Sequence, residues 1–188
     1  MKRIDTKKAI MSKHYPKKDI DSILRVNQAG EYGAKRIYQG QLAALKNSAL
    51  KPIIQHMANQ EEEHLSTFNK MCTNRRVRPT LFSPLWHVFG FGLGYVSGKI
   101  GEKAAMSCTV AVENVIDQHY KSQLDYLNNT YPDQEDELKA TIEKFREEEA
   151  EHHDIGLEYG AEKMPGYSLF SCAVRSATRL AIKISKTL

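Results

Sequence analysis

The spacing of apolar residues along the chain predicts helices rather than strands. In four segments, apolar positions recur every three or four residues, which is the period of a helix with one buried face. The first segment starts near Asp19 or Asp21, either of which could cap a helix, and it ends at a turn of Asn47 and Ser48. The other three segments cover residues 52–71, 101–129 and 135–160. The pattern therefore predicts an all-α fold.

Two glycines, Gly30 and Gly33, interrupt the first predicted helix. Glycine inside a helix is less favourable than alanine by roughly 0.5–1 kcal/mol. Its use at these two positions indicates either close packing against a neighbour or room for a ligand.

Residues 81–100 are apolar and aromatic and differ from everything before them. A helix that crosses a membrane needs about 20 predominantly apolar residues. Pro84, His87 and several glycines make such a span a poor fit to this segment. We expect a bent segment in a membrane interface, with a buried connector as the alternative. The glycines are Gly90, Gly92, Gly94 and Gly98.

The C-terminal segment, residues 168–188, has the pattern of a basic amphipathic helix. Eight of its apolar residues fall on one helical stripe, and its four basic residues fall mostly off that stripe. The stripe contains Phe170, Ala173, Val174, Ala177, Leu180, Ala181, Ile184 and Leu188, and the basic residues are Arg175, Arg179, Lys183 and Lys186.

Composition and charge restrict the class of protein. The 188 residues are enough for one globular domain with a sizeable core. The net charge of +4 is modest, and basic residues cluster near both ends, where they could contact acidic lipid or nucleic acid or be only solvated. We expect no nucleic-acid partner. The three cysteines form no CxxC pair, which argues against disulfides or a cysteine-held zinc and favours a reducing compartment.

We divide the chain into three parts on this basis. Residues 1–17 form a basic N-terminal arm. Residues 18–165 form a four-helix bundle that includes the apolar connector at 81–100. Residues 166–188 form an amphipathic helix that associates with a membrane.

An internal repeat relates the two halves of the bundle. The third predicted helix resembles the first when shifted by 82 residues, and the fourth resembles the second when shifted by 88. In an antiparallel hairpin, residues equidistant from the turn lie at the same height. The repeat therefore predicts two matched hairpins. The matching pairs include Ala29 with Ala111, Glu31 with Glu113, Tyr38 with Tyr120, Gln41 with Gln123, Glu61 with Glu149, and His64 with His152.

Two ExxH motifs predict a two-metal site inside this bundle. A glutamate and a histidine three residues apart share one helix face, and this occurs at Glu61–His64 and Glu149–His152. Glu31 and Glu113, alone on their helices, could bridge two ions or complete their coordination. One Glu from each of two helices and one ExxH from each of the others is a known di-metal pattern.

The charge and the ligand types agree with this interpretation. Four buried carboxylates carry a charge of −4, which two divalent ions would neutralise. Carboxylates with imidazoles suit iron or manganese, which the sequence does not separate. A single ExxH is weak evidence, because the acidic run before His152 alone is typical of a solvated face. Within that run Glu147, Glu148 and Glu151 compete with Glu149, but only Glu149 has a histidine three residues later.

Further residues near the motifs are candidates for supporting roles. Tyr38 and Tyr120 lie two helical turns after the lone glutamates, where they could border the cavity as redox or gating groups or simply pack in the core. Tyr120 and His119 are also candidates for a catalytic role beside the metal ligands. His119 could bind substrate. Asp117 could orient a ligand histidine, and His153 lies either behind the ligands or on the surface.

Several longer motifs resemble the demethoxyubiquinone hydroxylase family. They are RVNQAGEYGAKRIYQGQ, QEEEHL, CTVAVE and FREEEAEHHDIGLEYGAE, and the resemblance runs from about residue 20 to the C-terminus. It implies a ferritin-like di-iron monooxygenase with iron ligands at Glu31, Glu61, His64, Glu113, Glu149 and His152. It also implies that Trp86, His119 and Tyr120 lie near a quinone head group, to which we add Tyr38 as a candidate.

The resemblance also implies an activity and a location. Two iron ions, cycling between Fe2+ and Fe3+, would use O2 to hydroxylate the ring of a polyprenylated quinone, with electrons from NADH or from the quinol. We expect a peripheral protein on the cytoplasmic face of a bacterial inner membrane, or on the matrix side of the mitochondrial one. A homo-oligomer and contacts with other ubiquinone-biosynthesis proteins are also expected.

Two rival functions share part of this pattern. A ferritin- or rubrerythrin-like iron oxidase or store would use the same ligands, but it has no need of two apolar segments. A non-catalytic lipid-binding protein on a membrane would explain the apolar segments but not six placed ligands.

Overall fold

The computed structural model describes residues 17–186, so most of the predicted basic arm and Leu188 lie outside the described residues. Within this range the chain is all-helical, with six α-helices, one short 3-10 helix and no strand, as predicted. The elements are α1 (Lys18–Ala44), α2 (Lys51–Arg75), α3 (Ser83–Ile100), α4 (Glu102–Thr130), α5 (Asp136–Glu158), the 3-10 helix (Ala161–Lys163) and α6 (Tyr167–Ser185).

The start of α1 differs from the sequence prediction, because neither Asp19 nor Asp21 caps it. The cap position is Lys17, and no side chain bonds the free backbone groups there. The Asp19 carboxylate instead accepts hydrogen bonds from the hydroxyls of Tyr126 and Tyr131, at 2.7 and 2.6 Å. The capping prediction is therefore wrong, and Asp19 ties the start of α1 to the end of α4.

The bundle consists of two helical hairpins, as the repeat predicted. α1 packs on α2, and α4 packs on α5. Each hairpin is followed by a further helix that packs on the first helix of that hairpin, α3 on α1 and α6 on α4. The two halves are therefore matched units of three helices, and the 88-residue shift also matches Leu81, Phe82 and Ser83 with Leu169, Phe170 and Ser171.

The core is divided along the helices by a polar layer. On α2, Ile54 and Met57 belong to one buried apolar cluster, and Phe68 belongs to another. Glu61 and His64 lie between these clusters along the helix and are themselves fully buried. The candidate ligands thus occupy a level of the bundle that is closed by apolar side chains on both sides.

Residues 83–100 form one continuous helix, α3, rather than the bent segment that we expected. Gly90, Gly94 and Gly98 pack against α1 instead of breaking the helix. A Cβ on Gly94 would overlap the carbonyl oxygen of Ile37, and a Cβ on Gly90 would lie 2.8 Å from that of Gly33. The opposite face exposes Val88, Phe89 and Val96, so the alternative of a buried connector applies only to the glycine face.

Within residues 17–186, no helix combines the length and apolar character that crossing a membrane requires.

Candidate metal centre

Four helices each contribute to one buried cluster of acidic and histidine side chains. All six residues predicted as ligands are at most 2% exposed. They come from α1 (Glu31), α2 (Glu61 and His64), α4 (Glu113) and α5 (Glu149 and His152). In the acidic run of α5, Glu149 is the buried glutamate, whereas Glu147 and Glu151 are exposed. The structure therefore brings all six predicted residues together.

The six residues divide into two overlapping groups that could each hold a metal ion. One group is Glu31, Glu61, His64 and Glu149, and the other is Glu61, Glu113, Glu149 and His152. Within each group, one ligand atom per residue lies within 4.8 Å of the others. Glu61 and Glu149 belong to both groups, so the shared positions are the glutamates of the ExxH motifs. Glu31 and Glu113 each serve one group only.

The two histidines direct the same ring atom, Nδ1, towards the cluster. His64 Nδ1 lies 3.4 Å from Glu31 Oε2 and 3.3 Å from Glu149 Oε1. His152 Nδ1 lies 3.4 Å from Glu61 Oε1 and 3.2 Å from Glu149 Oε2. The ring centroids are 6.5 Å apart. Each imidazole thus presents one nitrogen to one of the two groups.

Unpartnered atoms in the cluster show that its residues fit a metal. A buried polar atom without a partner is unfavourable, and such atoms are rare in folded proteins. Six atoms of the cluster make no hydrogen bond, namely both carboxylate oxygens of Glu61, one each of Glu113 and Glu149, and Nδ1 of both histidines. These are oxygen and imidazole donors without thiolate, a set that suits iron or manganese.

Burial and mutual contact shift the pKa values of the clustered residues in opposite directions. Burial, together with the neighbouring carboxylates, raises the pKa of Glu61 and of Glu113 well above the ordinary value. Burial opposes the charge of Glu149, but His152 and His64 outweigh it and lower the pKa of Glu149. Burial likewise opposes the charge of His64, but Glu149 and Glu31 outweigh it and raise the pKa of His64 to about 12. These shifts follow from crowding four carboxylates and two imidazoles into one buried layer, and bound cations would relieve the crowding of the carboxylates.

The two predicted tyrosines hold the unshared glutamates, and each does so from the other hairpin. The Tyr38 hydroxyl donates to Glu113 Oε1 at 2.8 Å, and the Tyr120 hydroxyl donates a short hydrogen bond to Glu31 Oε1. Burial, followed by the nearby carboxylates, raises the pKa of both phenols well above the ordinary value. Both tyrosines therefore act as neutral donors to the cluster.

Asp117, His153 and His119, the other predicted residues near the motifs, make contacts outside the cluster of six. The Asp117 carboxylate accepts a hydrogen bond from Arg146 Nε at 2.7 Å, and the structure places it with this arginine rather than with either ligand histidine. His153 is partly exposed and lies 3.2 Å from Asp154 at the surface, the second of the two positions expected for it. His119 forms a hydrogen bond with Gln123 at 2.9 Å, and burial, followed by the charge of Lys186, lowers its pKa to about 4.

Sequence reasoning missed the residues that contact the outer nitrogens of the histidines. Glu148 Oε2 lies 2.6 Å from His64 Nε2, and Gln60 Oε1 lies 2.9 Å from His152 Nε2. The repeat contains a signal for them, because Gln60 and Glu148 match under the 88-residue shift. Each immediately precedes the glutamate of an ExxH motif.

A largely apolar cavity lies beside the cluster, between α1, α3, α4 and α6. Its volume is about 380 Å³. Its wall includes Gly30 and Val112, the residues that immediately precede Glu31 and Glu113. Gly30 and Gly33 both face it, and a Cβ at either would meet no atom within 4 Å. These glycines therefore leave room for a ligand.

Among the predicted substrate residues, Trp86 lines this cavity. Its indole Nε1 donates a hydrogen bond to Ser185 Oγ at 3.1 Å, which joins α3 to α6 across the cavity wall. Tyr38, His119 and Tyr120 are not part of the wall. Their contact with a quinone ring stays a prediction.

A helical bundle whose core gathers four carboxylates and two imidazoles around unpartnered donor atoms belongs to the class of bundles that can hold two metal ions. Comparison with known proteins narrows this class. The chain belongs to the family described as ubiquinone biosynthesis protein COQ7, whose family model matches residues 18–185. The match covers every helix of the structure.

Relatives with high identity carry consistent names. The chain is 54% identical over 168 residues to a 3-demethoxyubiquinol 3-hydroxylase of Rhodospirillum rubrum, covering 89% of this chain and 77% of the relative. It is 47% identical over 169 residues to the NADPH-dependent 3-demethoxyubiquinone 3-hydroxylase, mitochondrial, of Homo sapiens, covering 90% and 78%. It is 38% identical over 176 residues to a mitochondrial 5-demethoxyubiquinone hydroxylase of Saccharomyces cerevisiae, covering 87% and 76%.

Proposed function

We propose that this protein is a di-iron hydroxylase that adds a hydroxyl group to the ring of a demethoxyubiquinone or demethoxyubiquinol, with O2 as co-substrate, in ubiquinone biosynthesis. The observation that carries the proposal is the buried cluster of four glutamates and two histidines with six unpartnered donor atoms. The family and the names of the relatives support the substrate class. The human relative is named NADPH-dependent, which supports a nicotinamide nucleotide as the electron source but names NADPH rather than the NADH expected from the sequence.

The chain's residues divide the work of holding two ions. Glu31 and His64 would hold one ion, Glu113 and His152 would hold the other, and Glu61 and Glu149 belong to both groups. Two iron ions bound there supply the oxygen-activating chemistry that ring hydroxylation needs. The tyrosines fix the unshared carboxylates through their hydroxyls, so Glu31 and Glu113 keep one orientation.

The apolar cavity is the proposed quinone site. Its wall presents few polar groups, and Trp86, Thr178 and Ser185 are among them. An apolar wall excludes water and contributes binding energy roughly in proportion to the apolar area that the substrate buries. The wall also includes residues next to Glu31 and Glu113, so a ring bound there lies close to the metal-binding level of the bundle.

The surface around the cavity supports a membrane location. Leu85, Phe89 and Leu180 line the cavity and are also 40–64% exposed, so they frame its opening with apolar side chains. Arg179 and Lys183 are exposed on α6, where cations can contact anionic lipid. We propose that α3 and α6 rest on the cytoplasmic face of a bacterial inner membrane, or on the matrix side of the mitochondrial inner membrane, and admit the quinone from the bilayer.

Replacing one unshared glutamate tests this function. In Glu113→Ala, we expect the purified protein to lose iron and to lose hydroxylation of demethoxyubiquinol. Glu151→Ala removes an exposed charge in the acidic run of α5 and should leave both unchanged. Full hydroxylation by an iron-free Glu113→Ala protein would refute the proposal, and iron uptake without any hydroxylation by the unaltered protein would favour an iron oxidase.

A further inference from the structure

The two histidines of the cluster are held from behind by side chains of different charge. The Nε2 atom of His64, on α2, contacts the carboxylate of Glu148 from α5 at 2.6 Å. The Nε2 atom of His152, on α5, contacts the side-chain oxygen of Gln60 from α2 at 2.9 Å. Both contacts cross from one hairpin to the other. Each fixes a ring whose Nδ1 atom points into the cluster.

These two contacts are equivalent positions of the repeat. Gln60 and Glu148 are 88 residues apart, which is the shift that also relates the two ExxH motifs. The ligands at the two ends of the cluster are chemically the same, one unshared glutamate and one histidine each. The two ends therefore differ in the residue that contacts the outer nitrogen of the histidine: a charged carboxylate, Glu148, at His64 and a neutral amide, Gln60, at His152.

The Glu148 carboxylate is itself held in place between α2 and α5. Its second oxygen lies 3.6 Å from Lys144 Nζ, one helical turn earlier on α5. The same ammonium group lies 2.9 Å from Glu63 Oε1 on α2. Glu148 is only partly exposed, whereas Lys144 and Glu63 are largely exposed. These two ion pairs therefore orient the Glu148 carboxylate without burying it completely.

A carboxylate behind a metal-binding imidazole has a known physical effect. It accepts a hydrogen bond from the outer N–H of the ring, fixes the ring's orientation and makes the inner nitrogen a more basic metal ligand. An amide oxygen fixes the orientation in the same way but carries no charge, and hydrogen bonds to an ionised acceptor are roughly twice as strong. The two ends of the cluster should thus bind metal unequally.

We infer that Glu148 and Gln60 are positioning residues for the two histidines, and that Glu148 makes the ion beside His64 the more tightly held of the two. This inference rests on the proposed two-metal centre. The inference adds an order of metal binding to that centre: the His64 end fills first and the His152 end fills second.

Reciprocal substitutions test the inference by metal binding alone. Metal-free protein is titrated with Co2+ without oxygen, and the two dissociation constants are compared. In the unaltered protein we expect them to differ by about tenfold or more, and Glu148→Gln should weaken the tighter site by about 10- to 100-fold. Gln60→Glu should instead tighten the weaker site. Glu147→Gln, an exposed neighbour that loses the same charge, should match the unaltered protein.

A spectroscopic signature separates positioning from a general effect on folding. In the Co2+-loaded protein, the exchangeable ring N–H of each bound histidine gives a strongly shifted proton NMR signal. We expect Glu148→Gln to move only one of the two signals and Gln60→Glu to move only the other. Should one variant fail to fold, the other gives the same test from the opposite end.

The possible results distinguish this inference from the proposed function. If the unaltered protein binds fewer than two ions, the two-metal centre is wrong and the inference falls with it. If it binds two ions with equal constants, or if both variants behave as Glu147→Gln does, the inference alone is wrong and the two-metal centre stands.

Discussion

At the scale of single residues, the centre is built from contacts that cross between the hairpins. Tyr38 on the first hairpin bonds Glu113 on the second, and Tyr120 on the second bonds Glu31 on the first. The cluster is therefore completed only when the hairpins are docked in one register. Each unshared carboxylate is oriented by a phenol that burial keeps protonated, because the pKa of both phenols is raised.

His119 gives a pH prediction at this scale. Its pKa falls from 6.5 to about 4 on folding, through burial and then the charge of Lys186. Between these values the unfolded chain binds a proton that the folded chain does not. The stability that neutral His119 contributes is thus present above pH 6.5 and is lost as the pH falls through about 4.

We expect His119→Gln to remove this acid sensitivity. Urea unfolding between pH 7 and 4 should show a smaller loss of unfolding free energy in His119→Gln than in the unaltered protein. His56→Gln, at an exposed position on α2, is the control and should follow the unaltered protein. Parallel curves for the unaltered protein and His119→Gln would contradict the prediction.

At the scale of helices, α1 and α3 approach so closely that one glycine decides their spacing. A Cβ at Gly94 would overlap the backbone of Ile37, whereas a Cβ at Gly92 would meet no atom within 4 Å. Gly94→Ala should therefore push α3 away from α1 and destabilise the protein by about 1–3 kcal/mol.

The matched substitution on the same helix should change the free energy of unfolding in the opposite direction. Gly92→Ala adds a methyl group in open space and should stabilise the protein by roughly 0.5–1 kcal/mol, because alanine is the better helix former. Denaturant unfolding of the two variants measures both effects. A Gly94→Ala protein as stable as Gly92→Ala would show that the close α1–α3 contact is absent in solution.

The helices and the six clustered residues follow from the sequence because they depend on local periodicity and on the repeat. The packing of α3 does not follow, since its glycines serve a contact with a helix that lies 40 to 60 residues earlier. The role of Asp19 also escapes local rules, because its partners are Tyr126 and Tyr131. The pairing of Glu148 with His64 depends on how the hairpins dock, which spacing within one helix cannot reveal.

At the scale of the whole molecule, the wall of the cavity includes both exposed apolar residues and the neighbours in sequence of Glu31 and Glu113. Ala181 on α6 faces the cavity, whereas Ala173 on the same helix is exposed and is not part of its wall. Ala181→Phe should fill part of the cavity. We expect kcat/KM for a short-chain demethoxyubiquinol to fall about tenfold or more while the iron content stays unchanged.

The matched variant Ala173→Phe adds the same ring outside the cavity and should retain normal kcat/KM. Steady-state kinetics in detergent, with iron analysis of each preparation, measures both. Equal activity of the two variants would show that the quinone does not bind in this cavity.

The exposed face of α3 gives a prediction about membrane association. Val88 and Val96 are 67% and 56% exposed, and burying a valine in lipid contributes about 1.5 kcal/mol. The double substitution Val88→Ser and Val96→Ser should weaken binding to anionic lipid vesicles on the order of tenfold or more. Tyr159→Ser, at an exposed position beyond α5, should bind as the unaltered protein does. Co-sedimentation with vesicles measures this, and equal binding by both variants would rule out α3 as the contact surface.

The most direct test of the central claim is the origin of the oxygen that appears on the quinone ring. Iron-loaded protein is reduced, given demethoxyubiquinol and exposed to oxygen labelled with the heavy isotope, and the product is examined by mass spectrometry. The proposed function predicts one labelled oxygen on the ring, and no product from Glu113→Ala. Absence of ring hydroxylation by protein that holds two iron ions, or a hydroxyl without label, would contradict it.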